Sequence, residues 1–204
     1  MQYLIDYLGS VILGSALVLI MANANEIAAE NSSLYNGDLV VQEMLTQTAY
    51  LLEGELRNMG VGIPETQHSV LSADTSAISF FYDVDLNGIV DTVRYFAGTT
   101  AQMADTQNEL DRPLFRRINS NPPLMVGAVT VFRLRYLTRS GATIPTPVIS
   151  TQLSEIYSVE ITMEVQNPYA MSRAPGSVMA GERDALYSSS LWQQTRLSSQ
   201  NTRR

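Results

Sequence analysis

The sequence predicts an α+β fold: a long N-terminal α-helix, apolar in its first half and amphipathic in its second, packed on a mostly antiparallel β-sheet head. Three observations predict it. Tyr7 to Asn25 runs 19 residues without a formal charge. Ile27 to Met59 then repeats apolar residues at helical spacing, and beyond Pro64 the period changes to strand-like alternation around Asn87-Gly88. The expected layout is a helical stem over residues 1–59, a β-rich head over 60–166 and a polar C-terminal segment over 167–204.

The uncharged stretch, densest from Val11 to Met21, rises about 28 Å as a helix, close to the hydrocarbon thickness of a bilayer. Gly9, Ser10, Gly14 and Ser15 dilute it, and small residues so spaced allow close helix contacts in lipid. Ala22-Asn23-Ala24 fits a small-x-small cleavage pattern. The residues before it include no Lys or Arg, so the segment is expected to be retained. Asp6 stands at its head. A carboxylate there is costly in apolar surroundings unless paired or wet, and reads either as a solvated interface or N-cap residue or as an assembly contact to a neighbouring subunit.

Ile27, Leu34, Val41, Leu45, Leu52, Leu56 and Met59 follow at intervals of 7, 7, 4, 7, 4 and 3, one face of an amphipathic helix. Glu26, Glu30, Glu43, Glu53 and Glu55 fall off that stripe. A single helix to Met59 spans about 88 Å, with Asn36-Gly37-Asp38 as its expected weak point. Gly60 and Pro64 end it.

In the head, Ala77–Leu86 and Ile89–Phe96 flank Asn87-Gly88, a strong hairpin signal. A two-residue loop would set Leu86 against Ile89, Tyr82 against Val93 and Phe80 against Tyr95, with one largely apolar face covering a core. Further strands are expected at 114–118, 128–137 and 156–165, with 187–197 as a possible last one. Alternation through Val129–Leu134 leaves the face of that strand ambiguous. Ile144–Pro147 reads as loop, and Ser198–Arg204 as a mobile or partner-bound tail.

Composition excludes several chemistries. A net charge of −7 argues against nucleic acid as a partner. All 13 basic residues are arginine, so lysine isopeptide cross-links are impossible. With no cysteine there is no disulfide framework or thiolate site. His68 is the single histidine, no G-x-S-x-G elbow presents a serine, and no Gly-rich phosphate loop occurs. No catalytic residues are assigned, and the chain is not expected to be an enzyme.

One motif suits a metal. Asp83-Val-Asp-Leu-Asn-Gly-Ile-Val-Asp91 opens like a calcium loop, with oxygens at Asp83, Asp85 and Asn87, a glycine next, and Asp91 at the ninth position. The twelfth position is Arg94, so it is not an EF-hand. In the two-residue-loop register, Asp83 and Asp85 point away from Asp91 and could share an ion only across a wider turn. A plain hairpin and a structural calcium site both remain open readings.

Other segments carry a resemblance. Glu55-Leu-Arg-Asn-Met-Gly60, Ile78–Asp83 with Asp85–Gly88 and Asp91–Tyr95, Asn108–Arg112 and Val126–Tyr136 occur in an order that resembles type IV pilin-like proteins. The chain is most similar to PilW-like minor pilins and the J-type pseudopilins of type II secretion, over residues 40–165. Counted from Met1, Asp6 falls one place after the family's glutamate; counted from Gln2 it falls on it. The resemblance implies a structural subunit that waits in the membrane on its apolar helix and polymerises through it into an extracellular filament or periplasmic pseudopilus. The implied partners are copies of itself, other pilin-like subunits and an inner-membrane assembly machinery. Asp6 would set register against an adjacent amino terminus, and Gly9 and Gly14 would let the helix loosen on leaving lipid. The alternative is a membrane-anchored periplasmic or cell-surface β domain that binds a partner without polymerising.

Overall fold

Nothing in the first 63 residues breaks a helix covalently, because the first proline is Pro64. The computed structural model, which describes residues 2–64, 66–106, 108–167 and 190–198, accordingly shows one helix, α1, over Gln2–Arg57. Its 56 residues span about 84 Å. It runs unbroken through Asn36-Gly37-Asp38, contrary to the expected weak point. There the missing side chain of Gly37 makes room for Asn167, whose Nδ2 donates to the Leu34 carbonyl at 3.0 Å and to Asp38 Oδ1 at 2.9 Å. Tertiary contact outweighs the weak local propensity.

The exit from the helix is fixed by Gly60 and Gly62, both in the left-handed region at φ 88° and 80°. The Gly60 N–H donates to the Phe81 carbonyl at 2.8 Å, and the Asp83 N–H donates to the Val61 carbonyl at 3.0 Å. The chain leaving α1 is thereby stitched to the strand that carries the acidic motif.

Among the described residues, nine antiparallel strands form two sheets. β1 (Val70–Ala73), β2 (Ala77–Tyr82), β3 (Asp91–Ala97), β4 (Arg112–Ile118) and β5 (Leu124–Val129) make a five-stranded meander in that order. β6 (Val131–Leu137), β7 (Thr143–Ile144), β8 (Ser158–Gln166) and β9 (Ser190–Leu197) make the second sheet, ordered β7-β6-β8-β9. The fold class is α+β, as the pattern predicts. Ile144 belongs to β7 rather than to a loop. Tyr187–Ser189, Met1, 168–186 and 199–204 lie outside the described residues.

Two sequence expectations change in an instructive way. The hairpin pairs Phe80 with Val93, Ile78 with Tyr95 and Tyr82 with Asp91, two residues away from the register of an Asn-Gly turn. An even slip preserves which residues share a face, so Ile78, Phe80, Tyr82, Val93 and Tyr95 are all buried together. The connection is an eight-residue loop, 83–90. The expected strand 128–137 is two strands in two sheets: Thr130 separates them, donating its N–H to the Glu164 carbonyl at 2.9 Å. Val129 is buried before that break, and Phe132, Leu134 and Tyr136 after it, so the inward parity switches there. That switch is why alternation read across Val129–Leu134 was ambiguous.

The core lies between the two sheets and the second half of α1, where Val41, Leu45, Leu52, Leu56 and Met59 are buried. The N-terminal members of the stripe do not join it: Leu34 is half-buried and Ile27 is 58% exposed. Fully burying one Leu-sized side chain contributes about 1.5–3 kcal/mol, so five such residues hold the helix firmly while its N-terminal part projects away.

Candidate functional site

From Tyr7 to Asn25 the projecting part of α1 carries no charge, and its large apolar side chains are exposed. The 18-residue window that gives the helix membrane-spanning character has none of its length buried, and Leu17, Val18, Leu19, Ile20 and Met21 are each more than 60% exposed. This single N-terminal helix is long and apolar enough to cross a membrane. Ser10 and Ser15 do not break its apolar character, because their hydroxyls donate back to the Tyr7 carbonyl at 2.8 Å and to the Val11 and Ile12 carbonyls at 2.9 Å. Asp6 is exposed and lies inside the helix rather than at an N-cap. A Cβ placed on Gly9 or Gly14 would meet nothing within 4 Å, so neither glycine is needed for contacts within this chain.

The second candidate is the loop between β2 and β3. Asp83 is buried, with its Cβ against Gly62, where an added Cβ would come within 2.9 Å. Its Oδ1 accepts the Asn87 N–H at 3.1 Å and its Oδ2 the Gly88 N–H at 2.7 Å, which curls the chain back on itself. Leu86 at φ 59° and Gly88 at φ 86° supply the left-handed turns this needs. Asp91 is held from the other side: the Asn119 Nδ2 donates to its Oδ1 at 2.7 Å, and the Val84 N–H to its Oδ2 at 3.2 Å. The wider loop therefore brings Asp83, Asp85 and Asp91 together, each offering one carboxylate oxygen within 4.8 Å of the others. This corrects the opposite-face placement of the narrow turn. Asn87 lies beside the set: its Oδ1 accepts the Ile89 N–H at 2.7 Å and its Nδ2 donates to Asp85 at 2.9 Å. Three hard oxygens suit a cation such as calcium, and none of the three aspartates forms an ion pair among the described residues.

Two positioning contacts escaped the sequence reading. Glu55, placed off the apolar stripe, is in fact buried. It accepts hydrogen bonds from the Tyr82 hydroxyl at 2.8 Å, the Tyr95 hydroxyl at 2.5 Å and Arg116 Nε at 3.0 Å, and Arg116 Nη2 makes an ion pair with it. Burial first, then the adjacent Glu55 charge and hydrogen bond, push both phenols well above their ordinary range. Hydrogen bonding to Glu55 raises the Arg116 guanidinium in turn. The signal was present: Thr48, Leu52, Glu55 and Met59 are spaced i, i+4, i+7, i+11, a helical row of which all four are buried. The Asn167 clamp on Gly37 had no comparable signal, since the two lie 130 positions apart.

No family model, curated protein or solved structure matches the chain. What the geometry defines is an α+β protein with a long N-terminal helix packed on antiparallel sheets, an arrangement compatible with a pilin-like fold.

Proposed function

We propose that the chain is a structural, pilin-like subunit, closest to PilW-like minor pilins and J-type pseudopilins, that polymerises through α1 into an extracellular filament or secretion pseudopilus. The observation that carries this reading is the division of one continuous helix. Its second half is locked into the head by a shared core, and its first half leaves the head with its large apolar side chains exposed. Water is a poor solvent for such a stem, which needs lipid or other stems around it. Membrane anchoring before assembly and a helical bundle after it satisfy the same surface in turn. Subunits stacked head to tail through contacts that do not close form an open fibre.

In this reading Asp6 gives register. In the bilayer core an unpaired carboxylate costs about 2.5–3.5 kcal/mol by insertion scales, a cost relieved when an amino terminus of a neighbouring subunit sits beside it. Gly9 and Gly14, free of contacts within the chain, leave room for neighbouring helices. Copies of the chain, other pilin-like subunits and an inner-membrane assembly machinery are the partners this function requires.

Electron microscopy of material sheared from expressing cells tests it. Helical arrays containing the chain are expected; a chain recovered solely as detergent-soluble monomer would instead favour a membrane-anchored domain that binds without polymerising. Asp6→Ala should reduce filament yield while leaving membrane insertion intact.

A further inference from the structure

The outer face of the five-stranded sheet, turned away from α1, carries an uncompensated pair of charges. Ser79, Arg94 and Arg117 form one cross-strand row, with the two arginines directly opposite each other on β3 and β4. Like charges so placed repel. The Nε atoms of both are buried and meet no hydrogen-bond partner among the described residues. The Arg94 guanidinium lies over the Phe96 ring at 5.2 Å, and Phe96 packs on Phe115 at 5.3 Å. Strands β2–β5 contain one acidic residue, Asp91, which is committed to the acidic loop. Arginine and aromatic side chains on a face without carboxylates match the composition of interface centres.

The same head carries the complementary feature. Most of its described acidic residues are engaged: Glu160 by Arg135, Glu164 by Gln166, Asp74 by the Thr75 N–H, and Asp83, Asp85 and Asp91 within their loop. Asp105, Glu109 and Glu155 are exposed and have no hydrogen bond or ion pair among the described residues, and the first two lie only four positions apart. Next to Glu109, Asn108 is buried and donates to Gln166 Oε1 at 3.1 Å, so the chain at Glu109 is tied down before any partner arrives.

We propose that the Arg94–Arg117 face of one subunit receives Asp105 and Glu109 of a second copy. Donor and acceptor surfaces differ, so the contact is heterologous and repeats without closing. It rests on the polymerisation reading and adds a contact between heads to the packing of stems.

The test uses charge exchange in the full chain, together with cross-linking in a sequence that has no cysteine of its own. Arg94→Glu with Arg117→Glu, or Asp105→Arg with Glu109→Arg, should each lower filament yield about tenfold or more, and the fourfold variant should recover most of it. Arg117→Cys with Glu109→Cys should give disulfide-linked ladders between copies under mild oxidation, in membranes as in filaments. Normal filaments from both charge-reversed pairs would overturn this contact and leave polymerisation standing. Ladders in membranes without any filaments would support the contact and overturn polymerisation. Absence of both ladders and rescue would overturn the contact even if the reversed variants fail to fold.

Discussion

Glu55 on α1 and Arg116 on β4 form the ion pair that fastens the stem to the head, with side-chain exposures of 10% and 17%. The guanidinium reaches the carboxylate through both Nε and Nη2, and the Tyr82 and Tyr95 hydroxyls occupy its remaining acceptor positions. A buried pair of this kind contributes little net energy compared with an apolar replacement, but breaking one side leaves the other charge stranded. Its value lies in register, since it fixes which turn of α1 faces β2, β3 and β4.

Glu55→Ala should therefore destabilise the head by about 3–5 kcal/mol, whereas removing one hydroxyl by Tyr82→Phe should cost about 1 kcal/mol. Urea unfolding of the detergent-solubilised chain, followed by the fluorescence of its tyrosines and its single tryptophan, measures both. Equal effects from the two variants would mean that the carboxylate does not organise the cluster.

The same cluster predicts alkaline sensitivity. Tyr82, Tyr95 and Tyr136 all sit above their ordinary value, chiefly through burial. A group whose folded value is raised binds its proton more tightly in the folded state. Its stabilisation is complete below the unfolded tyrosine value of about 10 and is lost as pH climbs toward the folded one. Stability should stay level with respect to these groups through neutral pH and fall above about pH 10. Tyr95→Phe should flatten that fall, and an identical alkaline profile in the variant would reject the assignment.

At Gly37 two principles oppose each other. Alanine in a helix is favoured over glycine by about 1 kcal/mol, but a Cβ here would run into the Asn167 side chain. Overpacking costs about 1–3 kcal/mol, and Asn167 is buried and bonded to Leu34 and Asp38. Gly37→Ala should destabilise, and combining it with Asn167→Ala should cost less than the sum of the two single changes. Strict additivity would show that the two residues do not meet.

Much of this fold was legible because burial leaves a period. The stripe from Val41 to Met59 and the alternation of Ile78, Phe80 and Tyr82 with Val93 and Tyr95 announced both the docking face of the helix and the inner face of the sheet. What stayed hidden depended on contacts distant in sequence or on loop geometry. Asn167 meets Gly37 only once β8 is paired, and Glu55 is buried because Arg116 and two tyrosines arrive from three strands. The Asn-Gly pair suggested a tight turn, yet Asp83 captured the Asn87 and Gly88 amides and opened the loop instead. The motif was visible in sequence; the convergence of its carboxylates was not.

That convergence gives the last prediction. Three carboxylate oxygens within 4.8 Å repel one another unless a cation lies between them. Two of the aspartates are anchored by amides from Asn87, Gly88, Val84 and Asn119, so they cannot simply swing apart without losing those bonds. A cation bound to the folded loop and not to the unfolded chain stabilises by mass action, about 2.7 kcal/mol at a hundredfold excess over Kd. For a head of this size that amounts to about 5–20 °C in Tm. Thermal melts in millimolar calcium should exceed those in chelator by that margin. Asp85→Asn, at the exposed aspartate, should reduce the difference while barely changing the melt in chelator. If calcium and chelator give the same Tm, the loop is held by its amide hydrogen bonds alone, and the carboxylate cluster is not a metal centre.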